Sequence, residues 1–218
     1  LVSYFGFVSL CYRADLVPEP GWDFSQKEEY QGKYAVTTNP LASMYQWGML
    51  TGNGQDASKW TQDDLAEIKA YGMEEWKNAK TTTSTTGEQI DLLVRGDVVL
   101  VTDGWNYIES EAQKQGVDVK CVVPEGPVKV FVDAYFILDG AKNLDASYAW
   151  LNYAFDPQVQ AQLAKNVGTA VASQGAYAFD PELAEGFQPE TLNQTILNAE
   201  LNVLPDLEPE PPYVSIDD

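Results

Sequence analysis

Histidine is absent from this chain of 218 residues. Its absence removes the usual general base near neutral pH and the commonest zinc ligand. Cysteine is scarce: Cys11 and Cys121 are the only two. Without histidine to join them, they argue against a structural metal site. Both lie in apolar, strand-like segments, and either buried free thiols or a disulfide formed in an oxidising compartment is compatible with that placement. No apolar run reaches membrane-spanning length, so no direct membrane insertion is expected. No basic-then-apolar leader stands at the start, which leaves a secreted origin open, since a cleaved leader leaves no trace. There is no Gly-x-Ser-x-Gly elbow, no phosphate-binding P-loop and no metal-ligand spacing, so neither catalytic residues nor a cofactor are expected. A glycosidase would need a carboxylate pair, and an isolated aspartate in an apolar strand does not make one.

Basic residues are also few. Lys and Arg together number 13 against 33 Asp and Glu, for a net charge of −20. Such a surface repels nucleic acid and anionic headgroups, and favours cationic partners at long range in a way that salt screens. The hydrophobic fraction of 44% belongs to a folded, globular chain.

Hydrophobic periodicity alternates between strands and helices. Leu1–Tyr12 reads as one apolar strand, broken after it by Pro18, Pro20 and Gly21. Gly32–Thr38 reads as a strand, and Pro40–Leu50 as a helix with proline at an early position. Thr61–Lys80 reads as a strong helix: Thr61 suits the N-cap, Asp63 and Asp64 the first turn, and Leu65, Ile68, Tyr71 and Trp76 the buried face. The Thr/Ser run Thr81–Thr86 reads as a solvated loop before a short helix, Gly87–Arg95. Asp97–Thr102 has the unbroken apolar pattern of a strand buried on both faces. Tyr107–Gln115 reads as a helix, and Val117–Val123 and Lys129–Leu138 as strands. Asp145–Ala176 reads as two helices stepped at Asp156-Pro157, with Tyr148, Leu151, Asn152 and Phe155 and then Val159, Leu163 and Val167 along the apolar stripe, ending at Gly168. Short helices are expected around Pro181–Glu185 and Pro189–Leu201, the latter carrying a glycosylation triplet at Asn193. An extended acidic stretch is expected over Pro205–Asp218.

Several of these segments, in this order, resemble the extracytoplasmic solute-binding proteins of ABC importers, and within them the spermidine/putrescine-binding branch. SYFGFVSLCYRADLVPEP resembles the entry into the second lobe of that family. GWDFSQKEEYQGKYAVTTNP resembles the region in which Tyr30-Gln31-Gly32-Lys33 precedes a strand and a ligand-contacting turn follows. LLVRGDVVLVTDGWNYIESEAQ resembles its helix, strand and tryptophan turn, and PEGPVKVFVDAYFILDGAKN its return strand with an aromatic-x-Asp motif. The resemblance implies a type II periplasmic-binding-protein-like α/β fold of two lobes with crossing hinge strands. In this reading the first lobe is incomplete: residues 14–128 form the complete second lobe, and 1–13 with 129–218 supply the hinge strands and the later part of the first. It further implies a periplasmic or extracytoplasmic bacterial protein that captures a small solute, an organic amine by this branch, and hands it to ABC permease subunits in the membrane.

The candidate contacts follow from both readings. Trp105 sits at a strand-to-helix turn, at the carboxyl end of a strand where ligands of open α/β sheets bind, and an indole face suits an ammonium. Phe131 and Asp133 are two apart on a strand and share a face, and the resemblance gives them an aromatic-and-carboxylate grip on the ligand amine. Asn39 lies in the turn after the Tyr34–Thr38 strand. Tyr4, on the opening strand, and Thr85, in the Thr/Ser run, complete the set. Three positions depart from the polyamine pattern: Asn39 and Ala42 stand where the polyamine binders carry carboxylates, and Thr169 stands where a tyrosine is expected. A smaller monocationic or zwitterionic solute, such as an amino-acid derivative, a betaine or an aminophosphonate, fits at least as well. A sensor lobe that has lost transport is the further alternative.

Overall fold

The computed structural model describes residues 1–54, 56–126 and 129–183. The helix expected at Pro189–Leu201, the stretch Pro205–Asp218, the Asn193 triplet and the end of Pro181–Glu185 lie outside the described residues.

Leu1–Tyr12 forms two strands, not the single strand its apolar pattern suggests. β1 (Val2–Phe7) and β2 (Ser9–Arg13) part at Val8 and enter different sheets. At that step the Val8 N–H donates to the Lys129 carbonyl at 2.8 Å, so the outgoing and returning chains cross side by side. The return strand is shorter than expected: β7 spans Val130–Ala134, pairs antiparallel with β1, and lies wholly in the smaller sheet.

The larger sheet holds β3 (Tyr34–Thr37), β4 (Thr81–Thr83), β5 (Leu100–Gly104) and β6 (Val119–Val122) besides β2, in the order β4-β3-β5-β2-β6. β4, β3 and β5 run parallel, and the entering strand β2 is inserted antiparallel between β5 and β6. Side chains alternate between two cores, as the period of two dictates. Cys11, Ala35 and Val101 join Ile90, Leu93, Ile108 and Ala112 on one face. Leu10, Tyr12, Tyr34, Val36 and Leu100 join Phe24 and Tyr30 on the other. Both faces are covered, which accounts for the unbroken apolar run at Val98–Val101.

Parallel strands need helical crossovers, and these place α1 (Pro40–Leu50), α3 (Thr86–Arg95) and α4 (Asn106–Lys114) directly after β3, β4 and β5. α2 (Gln62–Asn78) opens on a reciprocal capping box: Thr61 Oγ accepts from the Asp64 N–H at 3.2 Å, and Asp64 Oδ2 from the Thr61 N–H at 2.8 Å. Its buried row is Ile68, Gly72 and Glu75, whereas Trp76 is 40% exposed. Trp47 lies across Gly72, where a Cβ would meet the indole at 2.3 Å. The Trp47 Nε1–H donates to Glu75 Oε2 at 3.3 Å. Burial pushes the Glu75 carboxyl up to about 7, against the smaller downward pull of that hydrogen bond.

Cys11 and Cys121 face each other across β2 and β6 and are joined as a disulfide, so the thiols are not free. The bridge presses on Gly104 of β5, where a Cβ would lie 2.5 Å from Cys11 Sγ.

The smaller sheet is β7-β1-β8, with β8 at Ala170–Val171. Behind it stand α5 (Leu144–Ala154), α6 (Pro157–Val167) and α7 (Gln174–Phe179). The Asp156-Pro157 step is a true helix start, with Asp156 Oδ1 accepting from the Gln158 N–H at 2.9 Å. Gly168 closes α6 in the left-handed region at φ 66°. The buried face of α6 is small, made of Gln160, Ala161 and Ala164. The bulkier Val159, Leu163 and Val167 are only half-buried. Likewise only Leu151 of α5 is buried, while Tyr148 is exposed.

Candidate functional site

Where the two sheets meet, a cavity of about 430 Å³ opens beside the crossing strands. Five of the six candidate contacts line it: Tyr4, Asn39, Trp105, Phe131 and Asp133. They come from β1, the start of α1, the end of β5 and β7, four separate places in the chain.

Tyr4 and Asp133 are direct cross-strand partners on β1 and β7, so their side chains leave the sheet on the same face. Phe131, two residues earlier, shares that face. Its ring meets Tyr4 edge-on with centroids 6.5 Å apart, and Trp105 edge-on at 6.0 Å. Gly6, the register partner of Phe131, makes this layout fit: a Cβ there would lie 2.7 Å from Phe131 Cζ. The Tyr4 hydroxyl is raised above its usual pKa, first by burial and then by the Asp133 carboxylate, so it remains a proton donor beside that carboxylate.

Trp105 is the N-cap of α4 and sits on a braced floor. Its ring stacks on Tyr107 at 5.2 Å, and its Nε1–H donates to Thr86 Oγ1 at 3.4 Å. Its carbonyl oxygen rests against the disulfide, 3.7 Å from Cys11 Sγ and 3.4 Å from Cys121 Sγ. The indole is therefore held from its own backbone, its ring face and its ring nitrogen, a stiff platform for a ligand.

Asn39 is the N-cap of α1, its Oδ1 accepting from the Ala42 N–H at 3.3 Å. Thr85 is not brought to the cavity. Its hydroxyl is taken by the capping box of α3, accepting from the Glu88 N–H at 3.2 Å, and the next residue, Thr86, lines the cavity instead. The run Thr81–Thr86 is not the solvated loop expected: Thr81–Thr83 pair with β3 as β4, and the capping box then turns the chain into α3. Thr169 also stands apart, its hydroxyl donating to the Phe5 carbonyl at 2.7 Å and clamping β1.

Two charged groups lining the cavity were not among the expected contacts. Asp103, the penultimate residue of β5, has φ 55°, in the left-handed region that aspartate tolerates better than most residues. Lys129 precedes β7, and its ammonium donates to Asp103 Oδ1 at 2.6 Å and to the Ala42 carbonyl at 3.2 Å. Lys129, Phe131 and Asp133 follow one another at i, i+2 and i+4, so strand alternation alone places the lysine on the face already assigned to the other two. Among the described residues no cluster of carboxylates, cysteines or histidines is arranged to hold a metal ion, and no helix is long and apolar enough to cross a membrane.

The architecture is shared with solved solute-binding proteins. A spermidine/putrescine ABC transporter substrate-binding protein from Streptococcus pneumoniae aligns with a TM-score of 0.69 at 18% identity, covering 92% of this chain and 59% of its own. A putative spermidine/putrescine ABC transporter protein from Listeria monocytogenes aligns at 0.73 and 18%, covering 88% and 61%. A periplasmic binding protein from A. tumefaciens B6, solved with glucopine, aligns at 0.71 and 18%, covering 88% and 62%. At such identity the likeness speaks for the fold, and this chain spans about three-fifths of the length of each. No curated protein matches the sequence. The family model for bacterial extracellular solute-binding proteins matches residues 6–188. An extracytoplasmic setting follows, with which the disulfide agrees, and the chain belongs to the bacterial extracellular solute-binding protein family.

Proposed function

We propose that this chain carries the solute-gripping part of an ABC importer's binding protein, which takes a small organic amine into the cleft between its sheets and presents it to a membrane permease. The observation that supports this most is the grouping of Asp133 with Tyr4, Phe131 and Trp105 around one cavity at the chain crossing. A carboxylate ringed by aromatic faces is chemistry suited to an ammonium: the carboxylate supplies charge, and each face contributes about 0.5–2 kcal/mol of cation–π attraction. Among the described residues the chain passes between the sheets at Val8, which is hydrogen-bonded to Lys129 just before β7, and closure about such crossing strands is a known way to enclose a solute. The net charge of −20 would draw cations toward the cleft at low ionic strength.

Isothermal titration of the full-length natural protein with choline, putrescine and basic amino acids, with Asp133→Asn alongside, tests the reading. Saturable binding of an amine that falls by about tenfold or more in Asp133→Asn is the expected result. Binding indifferent to Asp133, or binding of anionic solutes only, would sink it.

A further inference from the structure

We infer, resting on the cleft assignment above, that Lys129 determines specificity: its ammonium occupies one cationic place in the cleft, so the solute carries a single cationic centre, gripped at the Asp133 end. Among the described residues two carboxylates line the cleft, and they are treated differently. Asp103 is already matched. Its Oδ1 holds Lys129 Nζ at 2.6 Å, and the two side chains are only 23% and 15% exposed. The same ammonium donates to the Ala42 carbonyl at the start of α1, so two of its three donors are engaged at that wall. A ligand ammonium arriving there would meet a cation in place and a carboxylate already neutralised, a like-charge contact that discriminates strongly against it. Asp133 is different. It is exposed to the cavity, and among the described residues it forms no ion pair.

Asp103 and Lys129 cancel, which leaves one uncompensated carboxylate at Asp133. Four residues of extended chain separate Lys129 from Asp133, about 13 Å along the strand. A linear polyamine long enough to span the cavity would grip both carboxylates if Lys129 were absent. With Lys129 present, the far end offers Asn39 and Thr86, uncharged hydrogen-bonding groups. A solute with one ammonium and a neutral or anionic polar tail is the complement of that arrangement. The specificity device is therefore internal: one side chain of the protein stands where a second amine of the ligand would go.

The test is a titration of the full-length natural protein and its Lys129→Met and Asp103→Asn variants, with choline as the single-cation probe and spermidine as the multiple-cation probe, followed by heat and by tryptophan fluorescence. The wild type is expected to prefer choline. Lys129→Met is expected to raise spermidine affinity relative to choline by about tenfold or more, because Asp103 is released to the ligand. Asp103→Asn leaves the Lys129 charge uncompensated and is expected to weaken choline binding. A wild type that prefers spermidine overturns the inference, as does a Lys129→Met protein with a native melting temperature and an unchanged spermidine-to-choline ratio. If Lys129→Met does not fold, unchanged choline affinity in Asp103→Asn overturns it instead. Choline binding that is lost in Asp133→Asn while the ratio stays fixed removes this inference alone. A wild type that binds no amine removes the cleft assignment, and this inference with it.

Discussion

The two sheets that flank the cleft are built on different terms. The larger one is covered on both faces, its two cores hold nearly all of the large side chains that are fully buried, and a disulfide ties its entering strand to its last. The smaller one has three strands and a modest core of Ala161, Ala164, Val171, Ala176 and Leu183. Around it large apolar side chains stay open to solvent, with Phe136 at 78% and Tyr153 at 67%. Yet the smaller sheet carries Tyr4, Phe131 and Asp133, and the larger one carries Trp105 and Asp103. The cleft thus sets a stiff wall against a lightly anchored one, a division that suits the proposed closure around a solute: the stiff wall keeps the aromatic platform in place, and the lighter wall brings the Asp133 carboxylate.

Four changes would break or sharpen that contrast. The largest effect should come from the disulfide. It closes a loop of 110 residues within the larger sheet, and replacing both cysteines by serine should cost about 2–5 kcal/mol in denaturant unfolding. The same variant should also loosen Trp105, whose carbonyl rests on the bridge, and show it in tryptophan emission. An unchanged midpoint would remove the argument that this wall is braced.

Glu75 comes next, a carboxylate buried in the stiff half. Its pKa is raised by burial from 4.5 to about 7 in the fold. Between those values the folded state keeps a proton that the unfolded chain has released, so stability falls as pH rises from 4.5 to 7 and levels off above. The fall amounts to roughly 3 kcal/mol. Glu75→Gln should flatten that slope in a series of melting temperatures across the window, and an undiminished slope would contradict the assignment. The third change is Gly6→Ala in the lighter wall. Its methyl would press on Phe131, with a cost of about 1–3 kcal/mol and weaker amine binding as the ring shifts. Native affinity in that variant would show that Phe131 is not held as described. The smallest effect is expected at Phe136, whose replacement by serine should move stability by no more than about 0.5 kcal/mol, because the ring is mostly in solvent already.

Much of this arrangement was legible in the chain, and the failures have physical causes. Caps and breakers worked well: Thr61, Asp156-Pro157 and Gly168 mark helix ends because they satisfy, or release, backbone groups locally. The parity of Phe131 and Asp133 was readable because a strand alternates whatever it pairs with. The same parity includes Lys129, which could have been named from the sequence by extending the pattern two residues back. The break at Val8 could not. Nothing in SYFGFVSLCY marks it, and only the crossing of two chains, at the Val8–Lys129 hydrogen bond, makes one strand into two. β4 was missed because three threonines look like a loop until a parallel neighbour gives them a ladder. That Thr86 and not Thr85 faces the cavity is not readable from the pattern, because the capping box that takes the Thr85 hydroxyl depends on where α3 begins, and helix boundaries are the least certain part of a reading by pattern. The pairing of Cys11 with Cys121 was undecidable for a similar reason: it rests on the register between β2 and β6, a contact 110 residues apart in sequence.

A crystal structure of the full-length natural protein grown with choline would test the central claim most directly. The account predicts density for the ammonium beside the Asp133 carboxylate and within about 6 Å of the ring centroids of Trp105, Phe131 or Tyr4, with Lys129 still on Asp103. Choline bound at the Asp103 end with Lys129 displaced, or density away from this cleft altogether, would contradict it.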